Sequence, residues 1–183
     1  NKSFKKITMA EELKNATGKD VLLMNESELF ILAESNGINV NPKMNYGQLL
    51  DELFSKLVEP KLIQPTFVFD YPKAISPLAK SKRDGDKNLV ERFELFIGGM
   101  EIANAFTELN DPIEQRKRLI EQSKLKDLGE HDAQIVDEDF LEAIETGMPP
   151  TGGVGLGVDR LVMILTNQQS IKDVILFPTL RPE

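Results

Sequence analysis

The spacing of apolar residues changes along the chain, and the first third of the chain has helical periodicity. Apolar side chains recur every three or four positions from Thr8 to Ala16 and from Asn45 to Leu57, and more weakly from Ser27 to Glu34. This spacing places the apolar side chains on one face of a helix. We therefore predict that residues 1–64 form a helical subdomain resembling an insertion.

From Pro65 onward the pattern becomes typical of strands, so we place a domain boundary there. A β-branched and aromatic run at residues 66–71 is bounded by proline at both ends, as expected of a strand. Two further apolar runs, 92–97 and 100–109, are separated only by Gly98-Gly99. A two-residue glycine turn between strand-like runs predicts a β-hairpin.

The last part of the chain contains both helix and strand signals. We predict a helix from Pro112 to Leu128, because Asp111 is a suitable N-cap and Gly129 follows the last turn. A second helix is predicted at residues 137–146 and a closing strand at residues 174–177. Helices and antiparallel strands in this order predict an α+β fold.

Composition narrows the class of protein. The chain has 183 residues, of which 40% are hydrophobic, enough for one sizeable core. Its net charge of -8 argues against a surface that neutralises nucleic-acid phosphates, and the basic run at residues 115–118 is expected to be a solvated helix face. There is no cysteine, no apolar run near the roughly 20 residues of a membrane span and no signal-peptide pattern. We expect a cytoplasmic protein that makes no contact with a membrane.

Glycine occurs at alternate positions in Gly153, Gly155 and Gly157, shortly before Asp159 and Arg160. Alternate glycines let another group approach the backbone closely. An arginine in the first turn of the following helix can bind a polyphosphate, so we interpret Arg160 as a phosphate ligand. The alternative is a tightly packed strand followed by an ordinary surface ion pair. The spacing matches neither the dinucleotide fingerprint nor the Walker loop.

Three glutamates, Glu94, Glu101 and Glu108, lie inside apolar, strand-like sequence. A buried carboxylate is costly unless a cation, a metal or hydrogen bonds compensate it. With a two-residue turn at Gly98-Gly99, Glu94 and Glu101 would lie diagonally across the hairpin on one face, within reach of shared magnesium ions. The alternative is a solvated strand face with alternating charges.

Together with residues 69–72 and 76–80, these two clusters resemble the bacterial-type lysyl-tRNA synthetases of class II. Residues 148–160 resemble motif 3 of the class II synthetases, and residues 174–178 resemble the terminal strand of the lysine-specific family. The resemblance implies that residues 65–183 are the C-terminal part of an antiparallel-sheet catalytic domain.

The resemblance also implies an ATP site. Glu94 and Glu101 correspond to carboxylates that hold Mg²⁺ on ATP, and Arg160 corresponds to the catalytic motif 3 arginine on the γ-phosphate. Asn104 is expected to contribute to the same ATP site.

For the amino acid, the resemblance implies a pocket for L-lysine. Glu108 would pair with the ε-ammonium group, Phe106 would pack on the aliphatic stem, and Asn104 would hydrogen-bond near the carboxylate or the adenylate. Gly153 and Gly155 are expected to complete this pocket. A buried anion for a cationic substrate is chemically sound.

Strict alternation along the second hairpin strand conflicts with these roles. It would place Glu101 on the opposite face of the sheet from Asn104 and the rest of the lysine pocket. Residues that form one site must, however, lie on the same face. We therefore predict a β-bulge near residues 102–103.

The activity implied by the resemblance is ATP-dependent formation of lysyl-adenylate, followed by transfer of the lysyl group to tRNA-Lys. Motif 1, motif 2 with its Phe-Arg-x-Glu signature, and the anticodon-binding β-barrel are not found in this sequence. We therefore expect a part of a longer enzyme that is homodimeric when intact, that contacts tRNA mainly through other domains, and whose present part alone is inactive. The alternatives are a lysyltransferase that modifies a translation factor and a non-catalytic binding module derived from a synthetase.

Overall fold

The computed structural model describes residues 3–127 and 135–179 and shows the predicted α+β fold. The strands and helices follow one another along the chain as β1 (Lys5–Thr8), α1 (Met9–Thr17), α2 (Glu26–Ser35), α3 (Tyr46–Leu57), β2 (Thr66–Phe69), β3 (Arg92–Ile97), β4 (Met100–Thr107), α4 (Pro112–Asp127), α5 (Glu138–Glu145), β5 (Gly152–Leu156) and α6 (Val158–Thr166). Short 3₁₀ turns lie at Val21–Leu23, Glu59–Lys61, Lys73–Ile75 and Ile171–Asp173.

The strands form one five-stranded sheet in the order β1-β2-β3-β4-β5. β1 and β2 are parallel, and each later pair is antiparallel. Antiparallel neighbours need only short connections, and β3 and β4 are joined by two residues. The sheet therefore places the sequence clusters around Glu94, Glu101 and Gly153 on three adjacent strands.

The predicted hairpin turn is confirmed. Gly98 and Gly99 have φ angles of 62° and 74°, which a two-residue type I′ turn requires and which glycine adopts without a steric penalty. The backbone N–H of Gly98 donates to the carbonyl of Ile63 at 2.9 Å, and that of Gly99 donates to Leu62 at 3.1 Å. The tip of the hairpin is therefore fixed to the segment that follows α3.

The three N-terminal helices begin at well-formed caps. Thr8 accepts a hydrogen bond from the backbone of Glu11 at the start of α1. Asn25 and Asn45 each form a capping box with the residue three positions later. Such caps stabilise a helix by about 1 kcal/mol, which helps to explain why α2 forms despite its weak periodicity.

The helical segment and the sheet share one hydrophobic core. The ring of Phe54 on α3 packs edge-on against Phe96 of β3 and Tyr71, with centroid distances of 6.0 and 6.2 Å. Several leucines of α1, α2 and α3 are fully buried in the same cluster, and each stabilises the fold by about 1.5–3 kcal/mol. α3 therefore packs against the sheet face that carries Phe96.

Two details differ from the predictions. Residues 174–177 do not form a strand, and Leu176 and Phe177 are 89% and 90% exposed; a strand needs a neighbour, and this segment has no partner among the described residues. The segment predicted to be helical also contains β1, which pairs with β2. The division of the chain at residue 64 stays a prediction, and the predicted end of the first C-terminal helix at Leu128 and Gly129 lies outside the described residues.

The basic run on α4 is only partly solvated, so that prediction was wrong for half of it. Gln115 and Arg118, three positions apart and hence on one side of the helix, are 0% and 4% exposed. Arg118 donates to Glu114, to the carbonyl of Ala79 and to Ser81. None of the helices in the described part of the chain is long and apolar enough to cross a membrane.

Candidate active site

The residues singled out by the sequence lie on one face of β3, β4 and β5. Glu94 pairs with Asn104, which pairs in turn with Gly155. Two positions further along β4, Phe106 pairs with Gly153. Directly paired residues point to the same side of a sheet, so these five positions share one surface.

A β-bulge brings Glu101 onto the same surface, as predicted. Leu95 pairs with Ala103, and the next residue, Phe96, pairs with Glu101. Ile102 is left without a partner in the ladder, so the alternation of β4 shifts by one residue. Glu94 and Glu101, called here the carboxylate pair, therefore face the same side of the hairpin.

Arg160 joins the carboxylate pair from the start of α6. The backbone N–H of Gly157, the N-cap residue, donates to the carbonyl of the bulged Ile102 at 2.8 Å. In the first turn of the helix, Arg160 Nη1 donates to the Glu101 carbonyl at 2.7 Å and lies 3.3 Å from Glu101 Oε2. Its side chain is 48% exposed, so the cation is accessible to an anion from solution.

Glu94 is a buried carboxylate held by two donors. It is 8% exposed, forms a short ion pair with Arg92, and accepts a hydrogen bond of 2.6 Å from the Tyr71 hydroxyl. Burial raises the pKa of Glu94, although Arg92 and Tyr71 oppose that shift. Burial and the same carboxylate raise the pKa of Tyr71, so Tyr71 acts as a donor.

A further acidic group faces the carboxylate pair from the helical segment. Glu59 lies in the 3₁₀ turn after α3, which also contacts the hairpin turn. Burial, and then the negative charges of Asp51 and of the carboxylate pair, raise the pKa of Glu59 to about 7, while Arg160 lowers it. The site therefore has more negative charge than its arginines balance.

Glu108 directly follows β4, at the end of that strand remote from the hairpin turn, and lies beside β5. Its backbone N–H donates to the carbonyl of Thr151 at 2.9 Å, and partial burial raises the pKa of its carboxyl group. A methyl group added at Gly153 would overlap with Glu108 Oε1, whereas one added at Gly152 would meet only the Phe106 carbonyl, at 4.0 Å. Gly153 is therefore the residue that leaves space for this carboxylate.

The carboxylate pair suits a magnesium ion that also binds phosphates. Mg²⁺ prefers oxygen ligands and commonly uses one or two carboxylates together with substrate phosphates and water. Among the described residues there is no group of three or more acidic or histidine side chains that could hold a metal ion without other ligands. The donor set therefore fits a cation shared with a nucleotide better than a fully protein-ligated one.

Sequence reasoning missed the side chains that hold these groups in place. Arg92 contacts both Glu94 and Asn104, and Tyr71 donates to Glu94. The signal for Arg92 was its position two residues before Glu94, since side chains at this spacing in a strand lie on one face. No sequence pattern indicated that Glu59 lies near this hairpin.

The candidate site thus consists of an antiparallel sheet face, the glycine-containing strand β5 and an arginine at the start of the next helix, α6. The chain matches the sequence family described as "tRNA synthetases class II (D, K and N)" over residues 1–181. The chain belongs to this class II tRNA synthetase family.

Several curated relatives of this chain are lysine--tRNA ligases. The chain is 50% identical to the lysine--tRNA ligase of Porphyromonas gingivalis (strain ATCC BAA-308 / W83) over 98% of its own length and 31% of the relative's. It is 53% identical to that of Aquifex aeolicus (strain VF5), over 98% of this chain and 30% of the relative. It is 51% identical to that of Prochlorococcus marinus subsp. pastoris, over the whole chain and 36% of the relative. The chain thus spans about one third of the length of these relatives.

The raised pKa of Glu59 predicts a pH-dependent stability. A carboxyl group with a higher pKa in the folded protein stabilises the fold below pH 4.5, and that stabilisation is lost as the pH rises towards 7. The Glu59→Gln variant should lack this loss and be more stable than the parent at pH 8 by about 1 kcal/mol, a value reduced for solvent screening of a half-exposed group. Urea unfolding at pH 4 and pH 8 measures the difference.

The matched control is Glu34→Gln, at an exposed position near the end of α2. Its unfolding free energy should differ from that of the parent by the same small amount at both pH values. An equal effect of Glu59→Gln at pH 4 and pH 8 would contradict the predicted protonation behaviour of Glu59.

Proposed function

We propose that this chain forms the part of a lysine--tRNA ligase active site that binds the ATP phosphates and the lysine side chain. The observation that carries the proposal is the face shared by the carboxylate pair, Asn104, Gly153 and Gly155, with Arg160 contacting Glu101. The curated relatives named above support lysine as the amino acid.

The charges at the hairpin end of the face suit a metal-bound polyphosphate. The carboxylate pair alone would repel ATP, and Mg²⁺ held there supplies positive charge that neutralises the phosphates. Arg160 is a donor fork near a helix N-terminus and is half exposed, which suits the γ-phosphate. This arrangement supports Glu94 and Glu101 as metal ligands and Arg160 as the catalytic arginine.

The other end of the face suits a long cationic side chain. Glu108 would pair with the ε-ammonium group, and Phe106, which pairs with Gly153, would pack on the methylene stem. Gly153 and Gly155 have no side chains that could fill the space in front of them. Asn104 stands between the two ends, where the carboxylate of lysine would meet the α-phosphate of ATP.

The proposed reaction has two steps. The lysine carboxylate attacks the α-phosphorus of ATP to form lysyl-adenylate and release pyrophosphate. A hydroxyl of the terminal ribose of tRNA-Lys then attacks the carbonyl carbon and releases AMP. Neither step needs a protein nucleophile, so the residues described here act by positioning and charge stabilisation.

The relatives are about three times as long as this chain, so a complete enzyme would need further residues. We expect tRNA contacts and a homodimer interface to lie mainly in those residues, and we expect the enzyme to act in the cytoplasm. The alternatives are a lysyltransferase that modifies a translation factor and a non-catalytic module. Binding of ATP and L-lysine to this chain distinguishes a substrate site from such a module.

Calorimetric titration of the chain with ATP tests the phosphate end. We expect binding in the millimolar range that requires Mg²⁺ and is lost in the double variant Glu94→Gln/Glu101→Gln, because the amides no longer supply charged oxygen ligands. The control is Glu34→Gln, which should bind like the parent. ATP binding that is independent of Mg²⁺, or unchanged in the double variant, would contradict the assignment of the carboxylate pair.

The pair of variants Gly153→Ala and Gly152→Ala tests the lysine end. The added methyl group at residue 153 should displace the flexible Glu108 carboxylate and weaken L-lysine binding at least tenfold, at a cost in stability below about 1 kcal/mol. Gly152→Ala should leave lysine binding unchanged, because its methyl group has room. Titration with L-lysine and urea unfolding measure both effects, and equal lysine affinity in the two variants would argue against Glu108 as the ammonium partner.

A further inference from the structure

Arg92 makes more polar contacts than it would need to neutralise the charge of Glu94 alone. Its Nη1 donates to the carbonyl of Ile75 at 2.9 Å and to Ser76 Oγ at 2.8 Å. Its Nη2 pairs with Glu94, and its Nε donates to Asn104 Oδ1 at 3.1 Å. The guanidinium group also lies 4.6 Å from the centroid of the Tyr71 ring, and its side chain is 15% exposed.

These contacts determine which way the Asn104 amide points. A guanidinium group can only donate hydrogen bonds, so the atom of Asn104 that faces Arg92 Nε must be the carbonyl oxygen. The reverse orientation would place two donors against each other in a partly buried site, which is costly. The Asn104 NH₂ group is therefore left to donate to another partner.

We propose that Arg92 is a positioning residue that holds Asn104 with its NH₂ group available, so that the site recognises the carboxylate of its amino-acid substrate. This inference rests on the proposed function for the identity of the ligand, but the orientation of Asn104 does not depend on it. An amide that can only donate selects an acceptor such as a carboxylate and offers nothing to a second donor.

Three residues that precede the hairpin, Tyr71, Ile75 and Ser76, surround the Arg92 guanidinium group. Tyr71 and Ser76 are 2% and 4% exposed, and together with the Ile75 carbonyl they form a cradle around the guanidinium group. A lysine at residue 92 would carry one ammonium group on a flexible stem and could not bond Glu94, Asn104 and the cradle at once. The cradle thus specifies arginine and keeps its fork in a fixed plane.

The first test is independent of any ligand. In NMR spectra of the 183-residue chain, a scalar coupling across the hydrogen bond from Arg92 Nε to Asn104 Cγ should be present, and the Arg92 Nε proton should exchange slowly with solvent. In Arg92→Lys the Asn104 side-chain amide resonances should move, while amide resonances remote from the hairpin stay in place. A missing coupling together with a rapidly exchanging Nε proton in the parent would overturn the proposal.

The second test uses ligand preference, which a merely structural role would not change. L-Lysinol retains both amino groups of L-lysine but has a hydroxymethyl group in place of the carboxylate. We expect the parent to prefer L-lysine at least tenfold and Asn104→Asp to lose this preference, because Asp can pair with Arg92 but presents an acceptor to the ligand. Asn88→Asp, which adds the same charge on an exposed loop, should keep the preference.

The two tests separate the proposal from the proposed function. If the parent shows the hydrogen-bond coupling but binds neither L-lysine nor L-lysinol, the lysine site fails and the orientation of Asn104 stands. If the parent binds L-lysine and a folded Asn104→Asp variant keeps the full preference for it over L-lysinol, the Asn104 amide does not recognise the carboxylate and the proposal is wrong.

Discussion

One unpaired residue in β4 is the constraint on which the site depends. Without the bulge at Ile102, Glu94 and Glu101 would still share a face of the sheet, but Asn104 would point to the opposite face. The bulged residue also provides the carbonyl that accepts from Gly157, the residue from which α6 starts. The position of Arg160, and therefore its contact with Glu101, follows from the same local irregularity. Bulges often redirect side chains next to active sites, and here the bulge places Asn104 on the face of the carboxylate pair and anchors the start of α6 beside Glu101.

The second organising feature is the excess of negative charge on a face proposed to receive a polyanion. Glu94 is compensated by Arg92 and Tyr71, but Glu59 and Asp51 face the same region, and burial raises the pKa of both groups. Such a face is poorly suited to ATP alone and well suited to ATP accompanied by a divalent cation. The other end of the face, which we propose binds lysine, presents the carboxylate of Glu108 beside Gly153. Both ends of this sheet face are therefore negatively charged. One end suits an anion that is accompanied by a divalent cation, and the other suits a cationic side chain.

Much of this arrangement follows from sequence, and the exceptions have physical reasons. The glycine pair at residues 98–99 predicted the turn. The bulge was predicted because Glu101 and Asn104 lie an odd number of positions apart, which places them on opposite faces of a regular strand. Both predictions rest on local rules. β1 was missed because its four residues pair with β2 across nearly sixty residues of chain. The strand predicted at residues 174–177 failed because apolar β-branched composition cannot form a strand without a neighbour among the described residues. Burial of Gln115 and Arg118, like the proximity of Glu59 to the carboxylate pair, depends on tertiary packing that no local pattern encodes.

If this chain provides the lysine-specific part of an activating site, it should support amino-acid-dependent exchange of pyrophosphate into ATP. The chain would replace the matching segment of the Aquifex aeolicus lysine--tRNA ligase, which is 53% identical to it. We expect exchange that requires L-lysine and that Glu108→Gln reduces by about two orders of magnitude, because the variant removes a charged partner of the substrate. A folded chimera that binds ATP with Mg²⁺ but shows no lysine-dependent exchange, or shows the same exchange with Glu108→Gln, would contradict it.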